Sequence, residues 1–380
     1  MRLRSIHFKA YSLPLRRPLR TAHGTFPRRD GFRVSARSAA GLWGFGEAAP
    51  LPGFGTESLA ACHALLERLS RSLVEAEIDP DALLGQGLGA MLDDQQLWEA
   101  PAAAHGLELA LLDLLAQERA QPLARLLHPR AATEVPVNAM LGADSAAAAA
   151  QAAQAAVAEG FATLKLKVGA DPLELDRARL QAVRDAVGPA VRLRLDANGG
   201  WSEAQALAAL EALHVFGVEY VEQPVSPEDI EALVRVAARS PIPIAADESV
   251  RSPPDARRLL ARGAAQVLIL KPMVLGGVVP ALIIAREAIR SGALAIITTS
   301  LEGAVGRAGA LHAAAALCPL LPEPLPAFGL ATGELLAEDL VHAPQRPVRG
   351  WMALGEIPGL GYRLHQFTDL RLDFYHTSTP

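Results

Sequence analysis

Cysteine is scarce: 380 residues carry two, Cys62 and Cys318. They lie far apart, which excludes a disulfide framework, suits a reducing compartment and leaves both expected as small buried hydrophobes. Long apolar runs are missing as well. Hydrophobic residues make up 51% of the chain, yet no stretch reaches the roughly 18 uninterrupted apolar residues of a membrane span. The opening MRLRSIHFKAYSLPL alternates polar and apolar every one or two positions, with neither a signal-peptide core nor a cleavage motif; a soluble, cytoplasmic protein is expected. Nor does one sign of charge dominate. Lys and Arg number 36 against 41 Asp and Glu, well mixed, for a net charge of -5, so no electrostatic footprint for nucleic acid or an anionic membrane is present. The expected partner is a small molecule, and a homo-oligomer is compatible with the composition. No low-complexity tract interrupts the chain.

What is present is a βα alternation. At 380 residues the chain exceeds one ordinary core, which stops growing near roughly 250 to 300 residues, so more than one unit is expected. Residues 131–334 alternate short β-branched runs with Ala- and Leu-rich helical stretches. Strands are predicted over Glu134 to Met140, Thr163 to Val168, Val191 to Asp196, Val218 to Glu222, Ile242 to Asp247, Val267 to Leu270, Leu294 to Thr299 and Pro326 to Leu330. Eight strands suggest a barrel. Helices are predicted between them at Ser145 to Glu159, Pro172 to Val187 and Ser202 to Phe216, the last opening on a Ser N-cap. Residues 1–130 read as α+β, with strands at Ser5 to Tyr11 and Phe32 to Ser38 and helices at Glu57 to Ala76 and Ala102 to Gln117. The Pro- and Gly-rich tail, 335–380, ends in a strand-like stretch and is expected to cross back to the first unit.

Barrel active sites lie where the strands end, and here five consecutive strands end in charge. The second ends Lys165-Leu-Lys167, the third Asp196, the fourth Glu222, the fifth Asp247-Glu248 and the sixth Lys271. Their spacing is one βα unit each, so these side chains fall side by side around one ring. Three carboxylates on neighbouring strands repel one another unless a cation holds them, and all-oxygen ligands favour Mg²⁺, with Mn²⁺ as a substitute, over zinc. Lys165 and Lys167 share a strand face; mutual repulsion and a nearby metal should depress their pKa and make a neutral amine base available. Each residue alone also has an ordinary reading: Asp196 as a turn former, Glu222 as a loop cap, Asp247 and Glu248 as a helix N-terminal pair, Lys271 as a solvated strand end. Five such ends in one register are what point to chemistry.

These residues resemble the enolase superfamily, specifically its muconate-lactonizing subgroup. The likeness runs through Gly46-Glu47-Ala-Ala-Pro-Leu-Pro-Gly-Phe, Lys165-Leu-Lys-Val-Gly, Arg194-Leu-Asp-Ala-Asn, Val221-Glu-Gln-Pro, Ala246-Asp-Glu-Ser, Leu270-Lys-Pro and Ile357-Pro-Gly-Leu-Gly. It implies a modified (β/α)7β TIM-type barrel under an α+β N-terminal capping domain that the C-terminal tail completes. It further implies Asp196, Glu222 and Asp247 as metal ligands, Lys167 as base and Lys165 as its partner. Lys271 would lie on the opposite face, Asn198 would support the ligands from behind, and Glu248 would orient Lys271.

Within the subgroup, Ala48-Ala-Pro-Leu-Pro-Gly-Phe-Gly-Thr-Glu-Ser and Thr298-Thr-Ser-Leu-Glu-Gly-Ala-Val-Gly resemble segments of the o-succinylbenzoate synthases. That implies a carboxylate substrate and a dehydration in which Lys167 takes the α-proton. Dipeptide epimerases usually carry Asp-x-Asp at the second of these places to hold a substrate ammonium, and this chain has none. N-succinylamino acid racemases use the same fold, metal and lysines and stay open as an alternative; a metal-binding homologue without activity is a third. Arg20 to Arg29 reads as a mobile lid hinged at Gly24, or equally as an ordinary basic loop. Expected substrate contacts are His23, Thr25 and Arg29 in that segment, with Asn138, Thr299 and Ser300 in the barrel.

Overall fold

The computed structural model describes residues 1–21, 24–74, 77–142 and 145–366. The first unit opens with three antiparallel strands, β1 (Leu3–Thr21), β2 (Gly24–Ser38) and β3 (Trp43–Ala48). In the segment expected as a loop, residues 20–21 and 24–29 are the outer ends of β1 and β2. Their register slips between Pro14 and Leu19, where Arg16, Arg17 and Pro18 bulge out of the ladder because Pro18 has no N–H to give. Five helices follow: α1 (Leu59–Ser72), α2 (Pro80–Leu92), α3 (Gln95–Glu99), α4 (Pro101–Glu118) and α5 (Leu123–Leu127). The sequence reading had only α1 and α4. α4 is rich in Ala and Leu, as suits a helix buried on all sides, and nearly its whole length is buried, His105, Glu108 and Asp113 included. Strand β3 lies flush on it because Gly44 and Gly46 face the α4 backbone, where a Cβ would strike the Ala110 and Gly106 carbonyls.

The expected first barrel strand divides in two. β4 (Glu134–Pro136) pairs antiparallel with a strand of the tail, while β5 (Ala139–Leu141) joins the barrel. Pro136 marks the switch: it has no N–H for a ladder, and past it Val137 N donates to Gly350 O (2.9 Å) and Asn138 N to Phe328 O (3.1 Å). The chain then alternates α6 (Ala146–Ala158), β6 (Thr163–Lys167), α7 (Leu173–Val187), β7 (Arg192–Asp196), α8 (Glu203–Leu213), β8 (Val218–Glu222), α9 (Ile230–Arg239), β9 (Ile244–Ala246), α10 (Pro253–Ala261), β10 (Val267–Leu270), α11 (Val278–Arg290), β11 (Leu294–Ile297) and α12 (Ala304–Leu317). The Ser202 expected as an N-cap forms a full capping box with Gln205. Strands β5 to β11 make one seven-stranded parallel sheet in sequence order. Segment 326–330 closes it: Phe328 bridges Val137 at one edge and Gly329 bridges Thr298 at the other, both parallel.

Beyond the barrel the tail runs back to the first unit. Leu336 bridges Leu15, and Leu360 N donates to Asp113 on α4 (2.7 Å). Its strand β12 (Trp351–Ala353) covers β4. The strand-like stretch expected near the end of the tail lies outside the described residues. Cys62 and Cys318 are free and buried. No helix among the described residues is long and apolar enough to cross a membrane.

Candidate active site

In the parallel ladder Lys167 stands opposite Asp196, Asp196 opposite Glu222, and Glu222 opposite Ala245 two residues before Asp247. Adjacent strands lie about 4.8 Å apart, so the three carboxylates occupy consecutive staves of one rim. In a ring of eight, β6 and β10 are diametrically opposed. Lys165 and Lys167 therefore face Lys271 across the mouth, with the carboxylates of β7, β8 and β9 between them.

Asp196, Glu222 and Asp247 are all at most 5% exposed. Lys165 Nζ lies 2.9 Å from Asp196 Oδ2 and also donates to Glu222 Oε2. Lys271 Nζ lies 2.6 Å from Asp247 Oδ1. Glu248 Oε1 accepts from Asn198 Nδ2 at 3.0 Å, and Asn198 N donates to Asp196 Oδ1 at 3.1 Å. Thus Asp247 holds Lys271 directly, and Glu248, expected as its orienting partner, bonds Asn198. Lys167 is exposed and forms no ion pair among the described residues.

Burial lowers the Lys165 pKa, but Asp196 and Glu222 outweigh it and hold the ammonium well above its ordinary value. Lys271 behaves alike, with Asp247 and Glu248 overcoming burial. Burial works to raise Asp196, yet Lys165 and Lys167 bring it below the usual carboxylate range. Glu222 is pushed up to about 7 by burial, with Lys165 pulling against it and Asp196 and Asp247 adding to it. Burial and Asp247 raise Glu248 too.

Among the described residues, no three side chains are already drawn into a metal cage, because the ammonium groups lie where the carboxylates would otherwise converge. The donor set nonetheless fits a hard divalent ion: four carboxylates, no Cys or His, and a buried Glu248 Oε2 without a protein partner. Two paired ammonium groups leave that negative charge incompletely balanced.

The expected substrate contacts separate. Thr299 Oγ1 is 2.7 Å from Thr332 Oγ1 and 3.2 Å from Gly329 O. Ser300 Oγ is buried without a partner among the described residues, while its N–H bonds the buried Glu302, whose carboxyl burial pushes up to about 7. Asn138 is buried between β4 and β5. Thr25 is exposed, and His23 lies outside the described residues. Arg29 has another task than the one expected. It is 3% exposed and donates to Leu301 O (3.2 Å), Pro50 O (2.9 Å) and Ala49 O (2.6 Å), pinning the hairpin to the loop that carries Ser300. Glu47 makes a second such pin, accepting from Tyr11 Oη, Gly303 N and, at 2.8 Å, Gly306 N at the start of α12. In the sequence Glu47 and Gln223 show only a charge or an amide flanked by turn residues, which marks no role for either.

Fold and rim together define a barrel protein with opposed lysines beside a ring of carboxylates. Comparison with known families agrees: residues 147–368 match the enolase C-terminal domain-like family and residues 5–128 the mandelate racemase/muconate lactonizing enzyme N-terminal domain. The chain belongs to the enolase superfamily. It is 33% identical to the o-succinylbenzoate synthase of Thermosynechococcus vestitus, covering 80% of this chain and 87% of that one. It is 28% identical to the N-succinyl-L-Arg/Lys racemase of Bacillus cereus, over 83% and 84%. A dipeptide epimerase from Enterococcus faecalis, solved with Mg and L-Leu-L-Tyr, superposes with a TM-score of 0.85 at 31% identity, covering 95% and 99% of the two chains.

Proposed function

We propose that the protein is a Mg²⁺-dependent lyase of the o-succinylbenzoate synthase type, dehydrating 2-succinyl-6-hydroxy-2,4-cyclohexadiene-1-carboxylate. The observation that carries this is the wall after β11. Thr299, Ser300 and Thr332 give it neutral hydroxyls, and the carboxylate it carries, Glu302, is 1% exposed and turned onto the Ser300 N–H. Such a wall suits a substrate without an ammonium group and disfavours a dipeptide.

Asp196, Glu222 and Asp247 would hold the ion, displacing Lys165 from between the first two. When bound, Mg²⁺ supplies positive charge beside the substrate carboxylate, where negative charge develops. Lys167, the one lysine of the rim without an ion pair, takes the α-proton. The electron pair left on that carbon forms the ring double bond as hydroxide departs from its neighbour; with the proton returned by Lys167 it leaves as water, and the ring is aromatic. Lys271, kept charged by Asp247, stays opposite as a cation.

A second reading, N-succinylamino acid racemisation, is favoured by the diametric placement of Lys167 and Lys271, since an acylated amine needs no carboxylate either. The two separate experimentally. Lys167→Ala is expected to abolish dehydration and exchange of the α-proton with solvent deuterium. Lys271→Arg keeps the charge and should retain more dehydration than Lys271→Ala. Arginine cannot deprotonate, so equal collapse in both Lys271 variants, with the fold intact, would overturn the dehydration reading in favour of two-base chemistry.

A further inference from the structure

Gln223 follows Glu222 and is fully buried, and every polar atom it has is engaged at the ends of three strands. Its N–H donates to Ala245 O (2.8 Å) on β9, and its carbonyl accepts from Gly199 N (2.7 Å) in the turn after β7. The side-chain Oε1 accepts from Asp247 N (3.1 Å) and Ser249 N (3.3 Å). The Nε2 donates to Val225 O (2.9 Å) and Ser249 Oγ (2.8 Å). Four side-chain bonds use the full capacity of a primary amide. Two of them fix the Asp247-Glu248-Ser249 backbone, which belongs to no strand and has no ladder of its own.

The backbone shows the same construction. Gln223 has φ 35° and Asn198, at the end of the preceding stave, has φ 42°. Left-handed conformations in residues other than glycine cost roughly 1–3 kcal/mol each and persist where the surroundings over-determine them. Both residues then reach to the same place: Asn198 to the Glu248 carboxylate and Gln223 to the Asp247 and Ser249 N–H groups.

Resting on the reading of Asp196, Glu222 and Asp247 as ion ligands, we infer that Gln223 is a positioning residue: it splints the β9 terminus to β8 so that Asp247 stands in register with Glu222 before any ion arrives. It touches neither substrate nor ion. Its loss would therefore act on metal affinity in the absence of substrate, and more strongly than a comparable loss of stability elsewhere in the same strand.

The test is direct Mn²⁺ titration, read from the EPR signal of free ion, on substrate-free protein. Gln223→Met keeps the volume and removes all four side-chain bonds; it is expected to raise the Mn²⁺ Kd by about 10- to 100-fold, the range for residues that orient metal ligands. Gln266→Met is the control. Gln266 is exposed and makes a single side-chain bond at the opposite end of β9, its Oε1 accepting from Ile244 N at 2.9 Å, and its replacement should leave the Kd within twofold. A Kd for Gln223→Met within threefold of wild type, or equal shifts in both variants, overturns the inference. If Gln223→Met does not fold, Ser249→Ala removes one acceptor and should raise the Kd two- to fivefold; an unchanged Kd there overturns it as well. A wild type that binds no Mn²⁺ sinks the ligand assignment itself, a failure distinct from one confined to Gln223.

Discussion

Replacing Lys165 with Met removes the ammonium that lies between Asp196 and Glu222 while keeping the length of the stem. The Lys165 side chain is 15% exposed and its two partners 5% and 3%, so the charges left behind are desolvated. Removing one member of a buried ion pair typically costs about 3–5 kcal/mol. With a carboxylate on each side of the ammonium and Asp247 on the next strand, the upper part of that range applies. At about 2–4 °C per kcal/mol for a barrel-sized unit, the Lys165→Met protein should melt roughly 8–20 °C below wild type when measured in chelator by differential scanning calorimetry. Saturating Mg²⁺ should then restore more of the loss in the variant than it adds to wild type, because the ion no longer competes with an ammonium. Binding at 100 times Kd contributes about 2.7 kcal/mol. A variant that melts within 2 °C of wild type in chelator, or that gains no more from Mg²⁺ than wild type does, refutes the view that these carboxylates form a charged cluster awaiting a cation.

Further outcomes follow from the same contacts. Asp196→Asn and Asp247→Asn should each lose Mn²⁺ affinity and turnover with the fold kept, as read by calorimetry and circular dichroism; full activity in excess chelator, after confirmed metal removal, would sink the metal requirement. Glu108, buried on α4, accepts from Leu88 N (3.0 Å) and Val279 N (2.9 Å), and burial pushes its carboxyl up from 4.5 to about 7. The folded chain thus binds this proton more tightly than the unfolded chain, and the stability gained, about 3 kcal/mol, is complete below about pH 4.5 and lost as pH rises through 7. Glu108→Gln, which turns an amide NH2 onto a backbone N–H, should cost about 1–3 kcal/mol at pH 5 and less at pH 8; a gap in urea stability that does not change between these pH values counts against it. Arg29→Met strips three carbonyls of their donor and should destabilise by roughly 2–5 kcal/mol, with Arg29→Lys recovering part; indifference to both would make the clamp ornamental. Shortening Thr21 to Pro27 should reduce kcat/KM and leave Mn²⁺ binding unchanged, and an unaltered kcat/KM would remove any lid role from the hairpin end.

The barrel rim was legible in the sequence because parallel strands impose their own arithmetic: one βα unit separates neighbouring staves, and strand ends are where polar side chains stop being buried. The same reasoning placed the closing strand near 326–330, which makes only single bridges on each side. It failed at Pro136, where one apparent strand serves two different sheets. It also missed β3, whose Gly44 and Gly46 lower strand propensity while meeting a need visible only once α4 lies against them. Arg29 was read by its charge and its loop-like neighbours, whereas its position is decided by three backbone carbonyls distant in sequence. Gln223 illustrates the limit most clearly. An amide between a carboxylate and a proline has no signature of its own, and its work is defined by partners on two other strands.

The way the ring closes sets an order of assembly on the ribosome. Until Phe328 and Gly329 have emerged, β5 and β11 are open edges of a parallel sheet, with unpaired backbone groups available to any neighbouring strand. The first unit must wait longer still, because Leu15 finds its bridge partner at Leu336 and Asp113 Oδ1 its backbone donor at Leu360. The earliest residues made are among the last to be fully covered. A nascent chain paused between 300 and 326 therefore exposes two sheet edges and an uncovered N-terminal unit at once, and that interval is where a chaperone has most to protect.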